Sequence, residues 1–316
     1  MIKTFILAEH NMKSIIITEH LSKNFRDIKA VSDLNLHLNK GEIYGFLGLN
    51  GAGKTTTIRM LLGMIRPSLG NAYINGIKVN SSHNELWKKV GYLVEIPYSY
   101  PNLSVKENLE IIRRLRFIKD KKSVDEIIDK LQLRPYINRK AKHLSQGNAQ
   151  RLGLAKALIH HPEILILDEP ASGLDPAGIH DIREMFIDMA VNHGVTLFIS
   201  SHILGEISRF ANRIGIIHKG KLVKEVEKHQ LDTLCEKHLQ VQAKDLKKAA
   251  HIILSNGYKE CKLIGDKIII KDKNAIQKPE EIATLLVNNN NPPTGIQVTE
   301  ENLESYFLRT IKINGG

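Results

Sequence analysis

Cysteine is scarce in this chain of 316 residues, with Cys235 and Cys261 as its two thiols. Isolated thiols exclude a disulfide-rich secreted scaffold and a cysteine-based zinc site, and they favour a reducing compartment. Long apolar runs are also missing. The uncharged stretch 189–205 is interrupted by polar side chains and falls short of the roughly 20 apolar residues that cross a bilayer. The composition therefore predicts a chain without a membrane-spanning helix.

The N-terminus has no small-residue cleavage site, which argues against a signal peptide. Because Met12 is as plausible a start as Met1, we expect residues 1–13 to form an N-terminal extension. The net charge is +11, and residues 221–316, with 15 Lys or Arg and 13 Asp or Glu, contribute little of it. The basic surplus before residue 221 suits phosphate ligands and an anionic membrane surface, or it is a solvated face. No zinc-finger or RNP motif is present, so no nucleic-acid partner is expected.

A phosphate-binding loop is the most informative motif. Residues 48–55 read Gly-Leu-Asn-Gly-Ala-Gly-Lys-Thr and fit G-x-x-x-x-G-K-[ST], between a short apolar run and an amphipathic helical pattern. The glycines let backbone N–H groups turn toward phosphate oxygens, the lysine reaches the β- and γ-phosphates, and the last hydroxyl can ligate Mg²⁺. The motif predicts ATP contacts from Asn50, Gly51, Ala52, Gly53, Lys54, Thr55 and Thr56.

A second motif places two carboxylates at the end of an apolar strand. Residues 164–167 are Ile-Leu-Ile-Leu, and Asp168 and Glu169 follow. This is a Walker B pattern, in which Asp168 suits the Mg²⁺ shell and Glu169 suits the general base for the attacking water. On its own such a pair is more often a solvated turn, but after a phosphate loop the functional interpretation is favoured.

These elements, with those that follow them, resemble an ATP-binding cassette (ABC) ATPase. The resemblance implies a D-loop in Ser172-Gly173-Leu174-Asp175 and a switch histidine, His202, that bonds the γ-phosphate. It also implies a signature motif at 144–148, in which Gln146 stands for the usual Gly and Asn148 for Gln. Ser145 and Gly147 keep the family form and cap a helix that points at phosphate. The implied contacts to the partner subunit's ATP are Ser145, Gln146, Gly147 and Asp175.

Two further sites follow from the same resemblance. Phe25 takes the place of the aromatic residue that stacks on adenine, although a core position is the alternative. Glu95 stands where the Q-loop usually has Gln, and it keeps an oxygen for Mg²⁺ while adding a charge. The expected metal ligands are thus Thr55, Glu95 and Asp168, and the expected catalytic groups are Glu169, His202 and Lys54.

The order of predicted elements gives the fold class. Strands alternate with helices up to about residue 220, which predicts a P-loop NTPase α/β core at 14–220 with a mostly parallel sheet and a helical subdomain at about 96–160. Within it, a capping-box pattern at Ser123 predicts the start of a helix. Residues 221–316 follow the order βαββαβ plus a helix, which predicts a small accessory α+β domain of the ferredoxin-like type.

The resemblance implies a function for the whole chain. The stretches at 91–95 and 100–109 are similar to the bacitracin- and lantibiotic-type export branch, as is the extra C-terminal domain. This implies an ATP- and Mg²⁺-dependent ATPase, a head-to-tail homodimer around two ATPs, and a separately encoded permease on whose cytoplasmic side the chain sits as a peripheral membrane protein. The alternatives are a non-transport ABC ATPase of assembly or translation control, and a DNA-repair ATPase, against which the lack of a long coiled coil argues.

Overall fold

The computed structural model describes residues 14–80, 84–95 and 97–314, so the predicted extension at 1–13 lies outside the described residues. The chain forms two compact units. The first runs to Lys228 and also takes in the chain from Thr310 onward, and the second is His229–Arg309. The predicted division after residue 220 falls eight residues earlier, because the next strand still belongs to the first unit's central sheet.

The central sheet of the first unit has six strands in the order β10-β9-β3-β8-β7-β6. All neighbours are parallel except β10, which pairs antiparallel with β9. Every residue of β3, β7 and β8 is buried, which explains why these strands read as continuous apolar runs. The predicted mostly parallel sheet is confirmed. The strands are β3 (Ile43–Leu47), β6 (Val90–Leu93), β7 (Ile164–Asp168), β8 (Thr196–Ser201), β9 (Arg213–His218) and β10 (Lys221–Glu227).

A second, antiparallel sheet has the order β2-β1-β4-β5. Its strands are β1 (Ser14–Phe25), β2 (Ile28–Asn39), β4 (Leu69–Ile74) and β5 (Ile77–Lys78). Along β2, Leu34, Leu36 and Leu38 are buried while their neighbours face outward. These leucines join Phe46 and Phe198 of the central sheet in one apolar core. Burying one face of each sheet against the other holds the loop that follows β3 in place.

The helices of the first unit carry the segments that surround this loop. They are α1 (Lys54–Leu61), α2 (Asn84–Lys88), α3 (Val105–Leu115), α4 (Lys122–Lys130), α5 (Gln146–Leu158), α6 (Pro176–Val191) and α7 (Leu204–Ile207). The predicted capping box at Ser123 is wrong. Ser123 lies inside α4, and its hydroxyl donates to the Asp120 carbonyl at 2.7 Å. The capping box is at α3, where the Glu107 amide donates to Ser104 Oγ at 3.2 Å and the Ser104 amide to Glu107 Oε2 at 2.7 Å.

Just beyond α5, His160 is packed against strand β6 in surroundings that disfavour its protonated form. Its Nε2 lies 3.2 Å from the Val90 carbonyl, and its buried Nδ1 has no hydrogen-bond partner in the described part of the chain. Burial, helped by the nearby Arg116, lowers the pKa of His160 to about 4 from its ordinary 6.5.

We therefore expect stability to fall as the pH drops from 6.5 toward 4. In that range the unfolded chain binds a proton at His160 that the folded chain does not, so the stability present above pH 6.5 is lost. In the His160→Gln variant, the decrease in the free energy of unfolding between pH 7.5 and pH 5 should be smaller by about 1–3 kcal/mol. Chemical denaturation of both chains at pH 7.5 and pH 5 measures it. An unchanged pH dependence in the variant would place the acid sensitivity elsewhere.

The second unit is built on a four-stranded antiparallel sheet in the order β12-β13-β11-β14. Its elements are α8 (Leu231–Leu234), β11 (Lys237–Ala243), α9 (Leu246–Ser255), β12 (Cys261–Ile264), β13 (Lys267–Ile270), α10 (Lys273–Gln277), α11 (Pro279–Asn288), β14 (Pro293–Glu300) and the start of α12 (Leu303–Asn314). Leu239 and Ile268 of the sheet are fully buried with Ile253 of α9 and Ile282 of α11. The helices therefore cover one face of the sheet.

Across the residues that the structure describes, no helix combines the length and the apolar character needed to cross a membrane.

Candidate functional site

The phosphate loop joins the carboxyl end of β3 to the start of α1, the edge of a parallel sheet where ligands bind. Gly51 and Gly53 have φ values of 78° and 109°, which glycine adopts without the penalty of a side chain. Gly53 also has no room for one, because an added Cβ would lie 2.5 Å from the Ala30 carbonyl oxygen. Ala52 is buried, whereas Asn50 and Gly51 are exposed and Thr56 is half-buried. The sequence thus dictates a fixed, curled backbone at the predicted ATP contacts.

The Lys54 ammonium lies inside this curl. It is 6% exposed, donates to the Gly48 carbonyl at 2.7 Å, and sits 3.2 Å from Glu169 Oε1. A buried cation needs an opposite charge and acceptors nearby, and both are supplied here. The predicted phosphate-binding cation and the predicted general base are therefore direct neighbours.

Asp168, at the end of β7, is the most buried carboxylate of the site, with 3% exposure. Its Oδ2 accepts the Thr55 hydroxyl at 2.7 Å, and its Oδ1 accepts the Ser200 hydroxyl. The structure thus brings two of the three predicted Mg²⁺ ligands together. Ser200, which the sequence analysis did not select, also accepts the Glu169 amide at 3.0 Å. The sequence does not show that Ser200 lies beside Asp168, because the two residues are brought together by the pairing of β8 with β7.

Glu169 has a left-handed backbone, with φ of 49°, which turns the chain sharply after the strand. Its Oε2 is 2.8 Å from His202 Nδ1, so the carboxylate lies between Lys54 and His202. Gln150 of α5, a second residue missed from sequence, is buried and donates to the main-chain oxygens of Glu169 and Pro170 at 3.2 and 3.0 Å. This amide ties the signature helix to the turn that aims Glu169.

Glu95 lies two residues past the end of β6, beside the strand that carries Asp168. Its backbone has φ of 56°, and its Oε1 is 2.7 Å from Arg59 Nη2. The structure therefore pairs the third predicted metal ligand with a cation of α1 rather than with Asp168 or Thr55.

Phe25 is at the end of β1, 45% exposed, with Lys23 Nζ 5.0 Å from its ring centre. Such exposure does not fit the core position that the sequence left open. The next strand of the same hairpin carries Ala30, whose carbonyl packs on Gly53 of the phosphate loop. An exposed aromatic ring, on the hairpin that contacts the loop, is what a nucleoside base can stack on.

The four residues predicted to touch a partner's ATP line one open cavity of about 700 Å³. Ser145 is the N-cap of α5, and its hydroxyl accepts the Asn148 amide at 3.3 Å. Asp175 is the N-cap of α6 and accepts the Gly178 amide at 3.0 Å. Two helix N-termini therefore open into this cavity, and its described lining includes no residue of the phosphate loop.

Gln146, which stands where the family usually has glycine, packs against Gly173. Gly173, with φ of 76°, lies against it so closely that an added Cβ would be 2.6 Å from Gln146 Cγ and Cδ. The signature turn and the D-loop of one chain are thus packed on each other through a side chain that the usual glycine lacks.

We expect Gly173→Ala to destabilise the chain by about 1 kcal/mol, because alanine is strained in the left-handed region. It should also lower ATP hydrolysis by displacing Gln146. Adding Gln146→Gly should restore hydrolysis in part, since it removes the steric conflict but not the backbone strain. Denaturant melts and steady-state ATPase assays of the three variants test this. Equal hydrolysis in the single and double variants would show that the contact does not matter.

Comparison with known proteins agrees with the geometry. The sequence profile described as "ABC transporter" matches residues 31–172. The bacitracin transport ATP-binding protein BcrA of Bacillus licheniformis is 39% identical over 300 residues, which cover 95% of this chain and 98% of BcrA. The lantibiotic transport ATP-binding protein SrtF of Streptococcus pyogenes is 35% identical over 209 residues, 66% of this chain and 89% of SrtF.

Among solved structures, the dimeric post-hydrolysis state of the ATP-binding cassette MJ0796, bound to ADP and Pi, superposes with a TM-score of 0.63 at 25% identity. It covers 67% of this chain and 98% of the cassette. The ABC cassette fold predicted for the first unit is therefore confirmed. The chain belongs to the ABC transporter family, as an ATP-binding subunit that hydrolyses ATP.

Proposed function

We propose that this chain, as a homodimer, uses Mg²⁺ and ATP to drive export through a separately encoded permease, with an antibiotic, peptide or lipid-like substrate. The observation that carries the proposal is the 39% identity with a bacitracin transport protein, because it extends over 95% of the chain and so includes the second unit. Similarity confined to the cassette would support ATP hydrolysis alone.

In the proposed hydrolysis, Glu169 is the general base and His202 orients it. The 2.8 Å contact with His202 and the 3.2 Å contact with Lys54 hold the carboxylate in one place. Lys54 then binds the β- and γ-phosphates, and His202 stabilises the γ-phosphate. Ser200 and Gln150 do not touch the nucleotide in this proposal, and they position the strand end instead.

Thr55 of α1 and Asp168 at the end of β7 fit a Mg²⁺ ion. Their donor atoms are a hydroxyl oxygen of Thr55 and a carboxylate oxygen of Asp168, already 2.7 Å apart, and Mg²⁺ prefers oxygen ligands. Glu95 would supply a third oxygen. When bound, the ion would offset negative charge on the phosphates.

The proposed homodimer is head-to-tail, with the phosphate loop of one subunit facing the signature turn of the other. Support comes from the separate cavity around Ser145 and Asp175, and from the dimeric state of the similar cassette. Two-fold symmetry would complete two equivalent ATP sites.

For the second unit we infer the ferredoxin-like arrangement. Its elements follow the order βαββαβ, with two helices, α10 and α11, in the place of the second crossover. Numbered from β11, its strands lie in the order 2-3-1-4, and all pairs are antiparallel. We propose an accessory role for this unit, because the candidate nucleotide contacts all lie in the first one.

The test is antibiotic resistance in a susceptible bacterium that carries the chain together with the permease of the neighbouring genes. We expect growth at bacitracin or lantibiotic concentrations that stop cells with either component alone, and no protection from a Glu169→Gln chain. Membrane fractionation should find the chain on membranes only with the permease, and salt should not remove it. Resistance that never appears, with purification of only non-membrane partners, would favour the non-transport alternative.

A further inference from the structure

The Glu95 carboxylate already binds Arg59, and Arg59 would therefore compete with a metal ion for it. The position of helix α1 explains this. Thr55 and Arg59 are four residues apart on this helix, so their side chains lie on the same face, one turn apart. Thr55 contacts Asp168 at 2.7 Å, while Arg59 contacts Glu95 at 2.7 Å. One helix face thus carries a proposed metal ligand and a cation side by side.

The sheet register brings Glu95 to the same place. Leu93 of β6 pairs with Leu167 of β7, so Glu95 and Asp168 leave neighbouring parallel strands at the same edge. The Glu95 carboxylate therefore contacts the Arg59 guanidinium at the same sheet edge that carries Asp168. A glutamine, the usual Q-loop residue, would carry no charge for Arg59 to bind.

We propose that Arg59 is a positioning residue that restrains Glu95 by ion pairing and so raises the Mg²⁺ concentration at which the Q-loop carboxylate joins the metal. This rests on the proposed role of Glu95 as a ligand. The pair is partly solvent-exposed, with side-chain exposures of 39% for Arg59 and 53% for Glu95, so it is weak enough for a divalent ion to displace. Arg59 also offsets the extra negative charge that Glu95 brings toward the ATP phosphates.

The experiment measures nucleotide binding rather than turnover. In the full chain with Glu169→Gln, a fluorescent ATP analogue is titrated with Mg²⁺. Arg59→Gln should lower the half-saturating Mg²⁺ concentration about three- to five-fold, the worth of an exposed ion pair. Glu95→Gln should raise it. With Glu95→Gln already present, Arg59→Gln should change it far less, because the partner is gone.

Two controls make the result specific. Lys88→Gln removes a positive charge from another exposed pair, Lys88–Glu85 at 2.6 Å, and should leave the Mg²⁺ titration unchanged. Arg59→Lys keeps the charge without the planar guanidinium and should fall between Arg59 and Arg59→Gln. Thermal melts establish that each chain is folded.

Three results would overturn the inference. The first is a half-saturating Mg²⁺ concentration that Arg59→Gln leaves unchanged or raises, or that it lowers equally with and without Glu95. Arg59 would then not have this role. The second is a half-saturating Mg²⁺ concentration that Glu95→Gln does not change. It would show that Glu95 is not a metal ligand, and it would not contradict the proposed function. ATP binding that does not depend on Mg²⁺ at all would overturn the inference about Arg59, but it would not bear on ATP hydrolysis itself.

Discussion

Glu169→Gln is expected to abolish most ATP hydrolysis, by about 10²-fold or more, while ATP binding is retained. The amide has nearly the same shape as the carboxylate but cannot take a proton from the attacking water. Its contacts with Lys54 and His202 can persist as hydrogen bonds, so the phosphate loop should stay in place. The measurement is single-turnover hydrolysis alongside ATP affinity.

The same variant should accumulate as an ATP-bound dimer, because hydrolysis is what releases the γ-phosphate contacts. Light scattering with and without ATP measures this. A matched control is Glu163→Gln, at the opposite end of β7, where the carboxylate makes an exposed ion pair with Lys89 at 3.0 Å. Glu163→Gln should leave turnover unchanged. Wild-type turnover in Glu169→Gln would assign the base to another group.

Mixing two inactive chains is expected to restore activity if ATP is shared between subunits. Lys54→Ala disables the phosphate loop, and Ser145→Arg places a bulky cation at the N-cap that lines the 700 Å³ cavity. A heterodimer of the two then has one site with both residues intact. With random pairing and independent sites, an equal mixture should recover roughly a quarter of the wild-type rate.

The control mixture joins Lys54→Ala with Glu169→Gln. These side chains are 3.2 Å apart in one chain, so each defect falls in its own subunit's ATP site and no heterodimer has an intact site. This mixture should stay inactive. Recovery in both mixtures, or in neither while dimers still form, would contradict the trans arrangement.

From the sequence, the residues that lie together at the candidate site were easier to predict than the residues that surround them. The residues of the phosphate loop, Asp168 and Glu169 were chosen from local motifs, because loop curvature and a strand end are set by neighbouring residues, whereas His202 was implied by the family resemblance. In the structure these groups are linked by direct contacts: Thr55 with Asp168, Lys54 with Glu169, and Glu169 with His202. Helix ends were predicted less well: Ser123 looked like a cap, yet Ser104 and Glu107 form the capping box, since capping depends on where the helix begins in space.

Other features needed the folded chain. Ser200 and Gln150 are polar residues with no motif of their own, and they matter only because β8 and α5 lie beside the end of β7. Strand β10 was not predicted as part of the central sheet, because its sequence mixes charged and apolar residues and lacks the continuous apolar run of the buried strands. Its place at the sheet edge comes from antiparallel pairing with β9, which backbone hydrogen bonds supply.

By itself, then, the sequence determined that the chain is an ABC ATPase, because its glycines, lysine and carboxylates act through local backbone geometry and fixed spacing. The tertiary structure alone decided which partners those groups have. Arg59 and Glu95 are 36 residues apart, and Lys54 and Glu169 much farther, so only the parallel register of β3, β7 and β6 with helix α1 brings their charges to within about 3 Å. Charge pairing over such sequence distances depends on strand order, which no local pattern encodes.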